Sequence, residues 1–434
     1  TYIYICIVAI LAQVYAMDRP NKLRCLNDFR RSLPHCSASA LSAILAAVRK
    51  HGIPEGNTDR NTLREARNVQ CTTATPAGPI IQRITLEAKT DGERVKPFTV
   101  AHPLATLWQA CNECEPFKNF MLERMREHPC SQDEPWHLIL YSDEVTPGNV
   151  VAVVNNRKFH AIYWTFQEFG FNALSREESW FCVATELSVH MNTYAAGLSQ
   201  AFAAILLLFF DPDGIDLSTA GFLLPIGEDG IRIWVIMGGI LQDGGAHKSV
   251  WHHRGDGASR FCFICKNMFT YESMVCDEDG TKLLTCRCTK HTQLTKYTAR
   301  ELRTSYRFVA SQAAVLEPGP FNELQMALGV THHAWSILLN RKLDRLLDPI
   351  TAYMHDPMHC LFVDGICNLA LYLLLESCER AGYKDIYNAL SDYLAKWNWP
   401  SRIDGEHLPS IFVEARRDKH RKAKHIKCQA SDML

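Results

Sequence analysis

The chain lacks an excess of charge of either sign: 46 Lys and Arg face 47 Asp and Glu in 434 residues, a net charge of −1. A wholly basic nucleic-acid coat protein is thereby excluded, and any polyanion site has to be a local patch. Internal repeats and low-complexity tracts are also missing. No apolar run reaches the roughly 20 residues that a membrane-spanning helix needs. The two candidates, 1–16 and Ala195–Phe210, are both short, and the second ends in Asp211-Pro212-Asp213, as a buried helix would. Hydrophobic residues at 47% and charged residues at 21% exclude disorder of the whole chain. The length allows two or three domains at about 100–200 residues each. Cysteine is abundant. Seventeen is an odd count in a chain too long to need disulfide staples, which argues for cytosol or nucleus, where clustered thiols bind metal and scattered ones fill the core.

The ends carry two biased segments. Thr1 to Ala16 is uncharged and apolar, with Val14 and Ala16 in a small-residue cleavage pattern. A signal peptide is one reading. The lack of a basic leading region, and Met17 followed by Asp18-Arg19-Pro20, favour translated upstream sequence instead. At the other end Arg416, Arg417, Lys419, Arg421, Lys422, Lys424 and Lys427 form a basic run that reads either as a phosphate-contacting or nuclear-import patch or as a solvated helix face. Both ends are expected to be truncated.

Between these ends the pattern changes at Trp136. Residues 17–130 read as mostly helical: Ser37 caps a helix over Ala38–Lys50, Pro116–Glu127 forms another, and 56–78 is linker-like. Cys111 and Cys114, with Cys130 beyond, make a CxxC that has no second pair. After Trp136 come strands at His137–Tyr141, Lys158–Gln167 and Trp180–Leu187, one helix over Ser188–Phe210, and a strand at Ile231–Leu241. Asp143 closes the first strand and Asp243 the fourth. A ribonuclease-H-like core has this order of elements, with the first and fourth strands side by side. Two carboxylates there can bridge two Mg²⁺ ions about 3.5–4 Å apart and clamp the oxygens of a phosphodiester. Carboxylates suit a hard ion that keeps most of its water. The competing reading is that both aspartates are ordinary strand-end turn residues.

A second constellation follows Asp243. Cys262 and Cys265 form a CxxC, half of a four-ligand zinc site. Its other half is either His355 with His359, or the nearer set of Cys276, Cys286, Cys288 and His291. Asp356 and Pro357 are placed to start a helix running towards Glu379. The two histidines are otherwise polar residues at that helix start.

With these residues in view, the chain resembles DDE-type transposases of the CACTA (En/Spm) and related Plavaka-like families. The matching stretches are LILYSDEVTPGN (138–149), RKFHAIYWTF (157–166), GGILQDGGAHKSVW (238–251), RFCFICKN (260–267) and YMHDPMHCLFVDGICN (353–368). The resemblance implies an α/β fold: a ribonuclease-H-like mixed sheet interrupted by a helical, zinc-associated insertion, with a mostly helical N-terminal region. Its divisions are 1–16, 17–130, a first core part at 136–260, the insertion at 261–352, a returning helix at 353–400 and a basic tail at 401–434. Asp143 and Asp243 match the first two catalytic acids, Cys262 and Cys265 a CxxC, and Asp356 to His359 a D-x-x-H signature. In related recombinases such a CxxC joins downstream histidines around zinc. The third acid is a Glu on the returning helix. The same-face position counted from His359 is Ala370, which holds no metal, so Glu376 is taken, with Glu379 as the alternative and Gly365 as a break in the register.

The function implied is DNA cleavage and strand transfer on double-stranded DNA in the nucleus, with two Mg²⁺ and a structural Zn²⁺, by an active enzyme or a decayed copy. DNA contacts fall to Lys248, His252, His253 and Arg254 beside the basic run. Dimers or larger assemblies are usual for such enzymes, and no membrane is involved. The rival from another class is a non-catalytic, zinc-stabilised DNA-binding or interaction protein derived from a transposon. A secreted, disulfide-bonded protein rests on residues 1–16 alone.

Overall fold

The computed structural model describes residues 38–52, 60–90, 95–146, 157–269, 291–362, 365–396, 412, 420–422 and 426. Two compact units divide the chain at Ala74/Thr75. The first holds helices α1 (Ala38–His51) and α2 (Arg60–Thr72). Residues 1–16 lie outside the described residues.

In the second unit a short hairpin of β1 (Ile81–Ile84) and β2 (Phe98–Ala101) leads into α3 (Pro103–Glu113) and α4 (Glu115–Glu127). The central sheet follows. Its first three strands are β3 (Trp136–Val145), β4 (Phe159–Phe166) and β5 (Phe181–Leu187). Then come α5 (Gly197–Phe209), a hairpin of β6 (Phe222–Leu224) and β7 (Ile231–Ile233), β8 (Val235–Gln242) and α6 (Gly244–Trp251). Helices α7 (Ala299–Gln312) and α8 (Pro318–Leu328) precede β9 (Tyr353–His355). The sheet order is β9-β8-β3-β4-β5. β8 runs parallel to both β3 and β9, whereas β3, β4 and β5 are antiparallel neighbours. The fold is therefore mixed α/β with a five-stranded mixed sheet.

Period-two alternation sets the two faces of β3. Trp136, Leu138 and Leu140 are buried in the main core, which sends Tyr141 and Asp143 to the opposite face. Behind the sheet, α5 is apolar on every side and inserts Leu198, Phe202, Ile205 and Phe209. Trp164 meets the ring of Phe209 edge-on at 5.3 Å. Burying such rings contributes on the order of 2–3 kcal/mol each. β8 is squeezed between two parallel neighbours. A Cβ on Gly239 would strike the sulfur of Met354 on β9, which would have to swing aside, and one on Gly238 would lie 2.9 Å from His137 Cβ, so little room is left for side chains where the register shifts.

Three boundaries differ from the expectation. Ile231–Leu241 is not one strand: the chain forms a hairpin first and enters the sheet at Val235. Ser188–Phe210 is a short turn of helix, Ser188–Met191, and then α5, with Gly197 at φ +51 at the junction. The returning helix is also two pieces, α9 (Pro357–Leu361) and α10 (Ile366–Arg380). Gly365 stands at the break, where a Cβ would meet the carbonyl of Cys360. By length and composition the 357–380 stretch is apolar enough to cross a membrane. Tyr372 and Leu375 of α10 instead pack with Tyr387 of α11 (Ile386–Ala395) in a small second core, and Leu373 and Leu374 remain exposed.

Candidate functional site

Three aspartates lie at the same ends of three adjacent parallel strands: Asp243 and Asp356 directly follow β8 and β9, whereas β3 runs past the expected end at Tyr141 to Val145, so that Asp143 lies inside it. β3 and β8 are in register through Leu140↔Ile240 and Tyr141↔Leu241. One position on, Gln242 Nε2 donates to Ser142 Oγ at 2.8 Å, a buried bond that ties the strand ends together. Asp143 and Asp243 follow directly, on the opposite face. On the other side of β8, Gln242 pairs with His355 and its carbonyl accepts the Asp356 N–H at 2.9 Å. Asp356 thus joins the other two.

Each acid has a local role as well. Asp243 caps α6, its Oδ1 accepting the Ala246 N–H at 2.6 Å. Asp356 caps α9 through the Met358 N–H at 2.8 Å, and His359 Nδ1 lies 2.7 Å from its other oxygen. Asp143 has no helix to cap. Burial raises its pKa and the charges of Asp243 and Asp356 add to the rise, while the Glu144 backbone N–H and His359 oppose it. Tyr141 is pushed up by burial and by the same three aspartates, so its hydroxyl stays protonated and bonds Asp143. Tyr141, Tyr163, Trp180, Leu241 and Asp356 line a pocket of about 520 Å³ beside the acids.

The neighbouring position on β3 is occupied differently. Glu144 pairs with His160 across the sheet. Against the burial that would raise it, Ser188 Oγ at 2.7 Å and Lys158 Nζ at 2.9 Å hold the Glu144 carboxylate low. Sequence reasoning did not single out Asp356 as an acid of this group or His160 as its neighbour. Asp356 closes a strand of only three residues, too short for a periodic signal.

Glu376 stands apart. It accepts the Tyr372 hydroxyl at 2.6 Å and Arg380 Nη2 at 2.9 Å on α10. Glu379 is paired with Arg421 at 2.8 Å.

The CxxC forms a tight turn in which the Cys265 N–H lies 3.3 Å from Cys262 Sγ. Burial and the neighbouring Cys262 push the Cys265 thiol up to about 11. Phe263, between the cysteines, stacks on Tyr353 of β9 at 4.6 Å, and Tyr353 meets the His355 ring edge-on at 4.9 Å. The insertion therefore packs on the strand that carries His355 and Asp356. Cys276, Cys286 and Cys288 lie outside the described residues. Among the described residues every cysteine is a free thiol, and no three His, Cys, Asp or Glu side chains are gathered closely enough to hold a metal ion.

The donor chemistry nevertheless fits a hard divalent ion at the strand ends: three carboxylates, each with oxygen lone pairs beyond those used in caps. At the CxxC two thiols alone do not complete a zinc site. Cys111 and Cys114 flank the α3–α4 junction, and Cys130 is bonded to the Trp234 backbone. Of the expected DNA contacts, Lys248 and Arg254 line one cleft, Arg421 pairs with Glu379, and Lys422 is exposed. Arg416, Arg417, Lys419 and Lys424 lie outside the described residues. Compared with known proteins, the chain matches no protein-family model and no curated protein.

Proposed function

We propose that this chain is a transposase-like DNA nuclease and strand-transfer protein with a ribonuclease-H-like core. The observation that carries the reading is the convergence of Asp143, Asp243 and Asp356 at the ends of three adjacent parallel strands. These three would hold Mg²⁺, with Asp356 in place of Glu376 as the third acid. Bound there, the metal would supply Lewis-acid stabilisation of the attacking and leaving oxygens of a phosphodiester. The chain's own groups do the positioning. The α6 and α9 caps fix two carboxylates, the Tyr141 hydroxyl orients the third, and Gln242 with Ser142 holds the strand ends in register. A nuclear location and zinc at Cys262 and Cys265 belong to the same reading.

The test is Mg²⁺-dependent nicking of supercoiled plasmid by the purified chain. Asp143→Asn, Asp243→Asn and Asp356→Asn should each lose on the order of 10²-fold or more, as removal of a transition-state charge stabiliser does. Unchanged nicking in Asp143→Asn or Asp243→Asn overturns the mechanism. Glu376→Gln decides the third acid: loss there with full activity in Asp356→Asn returns the role to Glu376. A second reading, a DNA-binding protein without catalysis, is favoured by the engagement of Asp243 and Asp356 in helix caps. Salt-sensitive DNA binding with no Mg²⁺-dependent nicking would select it.

A further inference from the structure

The end of α6 opposite Asp243 opens into a cleft of about 530 Å³ in which no described lining residue is acidic. In a chain of net charge −1, Lys89, Lys248, Arg254, His252, His253 and His333 converge there. Two of the imidazoles are buried with a ring nitrogen unpartnered: His252 Nδ1, at 6% exposure, and His253 Nε2, at 8%. Burying such atoms without a partner is costly, so each is a ready hydrogen-bonding group for a ligand in the cleft. His252 also holds a left-handed backbone, φ 49 and ψ 43, as the residue that ends α6. Its ring packs 4.2 Å from that of His333. The 252–254 segment is held against 329–331 by backbone bonds from Arg254 N to Gly329 O and from Thr331 N to His252 O. The cleft is therefore a built feature of the fold.

We propose that this cleft binds phosphates of a DNA strand and carries its backbone away from the aspartates at the strand ends. Lysine, arginine and hydroxyl or amide side chains are the groups that position a phosphate backbone, and Ser249, Thr331 and Asn192 supply the polar part. No exposed aromatic face lines the cleft: Tyr194 is 1% exposed, so bases have nothing to stack on. α6 has eight residues and spans about 12 Å, three to four steps of a strand at about 3.4 Å each. His160 lies between the two sites: it lines the cleft, and the charges of Glu144, Asp143 and Asp243 act on its ring. Lys248 shares its ammonium with the exposed Asp256, a partner that a phosphate can displace.

The proposal deepens the nuclease reading by placing the substrate's flank, but it needs no catalysis. Its test is fluorescence anisotropy of a labelled 20-base-pair duplex and of its single strand, with the full chain in EDTA across a salt series. Lys89→Ala with Lys248→Ala should weaken binding about tenfold or more and lower the salt slope by about two. Lys248→Arg should restore part of the loss. Asp143→Asn should bind at least as tightly as the unaltered chain. Unchanged affinity and slope in the double lysine variant overturn the proposal. So does binding of inorganic phosphate or a mononucleotide as tight as that of the oligonucleotide, since the cleft would then be a small-anion site. Loss of nicking in Asp143→Asn with lysine-dependent DNA binding retained supports this proposal whatever becomes of catalysis. Nicking that survives the lysine changes unaltered leaves only the carboxylate site standing.

Discussion

The two ends of α6 are opposite in sign and alike in being unsatisfied. At its start Asp243 sits with Asp143 and Asp356, and burial together with those two charges makes Asp143 harder to ionise. At its end His252 and His253 are buried, each with one ring nitrogen unpartnered, and their pKa values are lowered to about 3 and about 4, chiefly by burial. The first end would be relieved by a cation, the second offers Lys89 and Lys248 to an anion, and a phosphodiester with its metal brings both. Perturbed groups of this kind gather at functional sites because the fold tolerates a cost there that it avoids elsewhere. The largest expected effect follows. Asp143→Asn should abolish nicking, on the order of 10²-fold, yet raise the melting temperature by about 1–2 °C without metal. The rise is small because the carboxylate is exposed and screened. A variant that loses activity and stability together would mark Asp143 as merely structural.

The imidazole end should respond to pH. His102, which caps α3 from its buried position, is likewise lowered to about 4, mainly by burial. Below about pH 6.5 the unfolded chain takes up protons that these three folded histidines refuse until about pH 4 or lower. Stability should therefore fall with pH through that window, by at most about 1.4 kcal/mol per pH unit per histidine. Thermal melts from pH 7.5 to 4.5 read the slope directly. An added oligonucleotide should flatten the part owed to His252 and His253 and leave the part owed to His102, which His102→Asn removes. A slope that ignores the oligonucleotide would separate the cleft from DNA.

Much of this arrangement was legible in the sequence, for identifiable reasons. LILY before Ser142 and the aromatic run 159–166 are long enough to show their period, and aspartates just past β-branched runs read as strand ends. The break between α9 and α10 was foreseeable from Gly365. What stayed hidden depends on contacts between distant segments. β9 has three residues and becomes a strand only because β8 lies beside it, so Asp356 looked like a helix cap alone. The cleft draws Lys89, His252 and His333 from separate parts of the chain, and no local pattern joins them. β7 and β8 read as one apolar run, because Trp234 gives no turn signal between Ile233 and Val235.

The smallest effect tests whether the two ends act separately. The Tyr141 hydroxyl donates to Asp143, and its ring stacks near Tyr163 at 6.3 Å. Tyr141→Phe keeps the ring and removes the donor, at a cost of about 0.5–1.5 kcal/mol for one hydrogen bond. A donor to a carboxylate favours its charged form, so losing it should raise the Asp143 pKa further. The acid limb of the nicking rate against pH should then move to higher pH while maximal activity stays within a few-fold. Lys89→Ala should leave the midpoint of that limb in place and raise only the DNA concentration needed. If the lysine change shifts the limb as far as the tyrosine change does, the cleft and the carboxylates form one electrostatic unit, and the division along α6 is wrong.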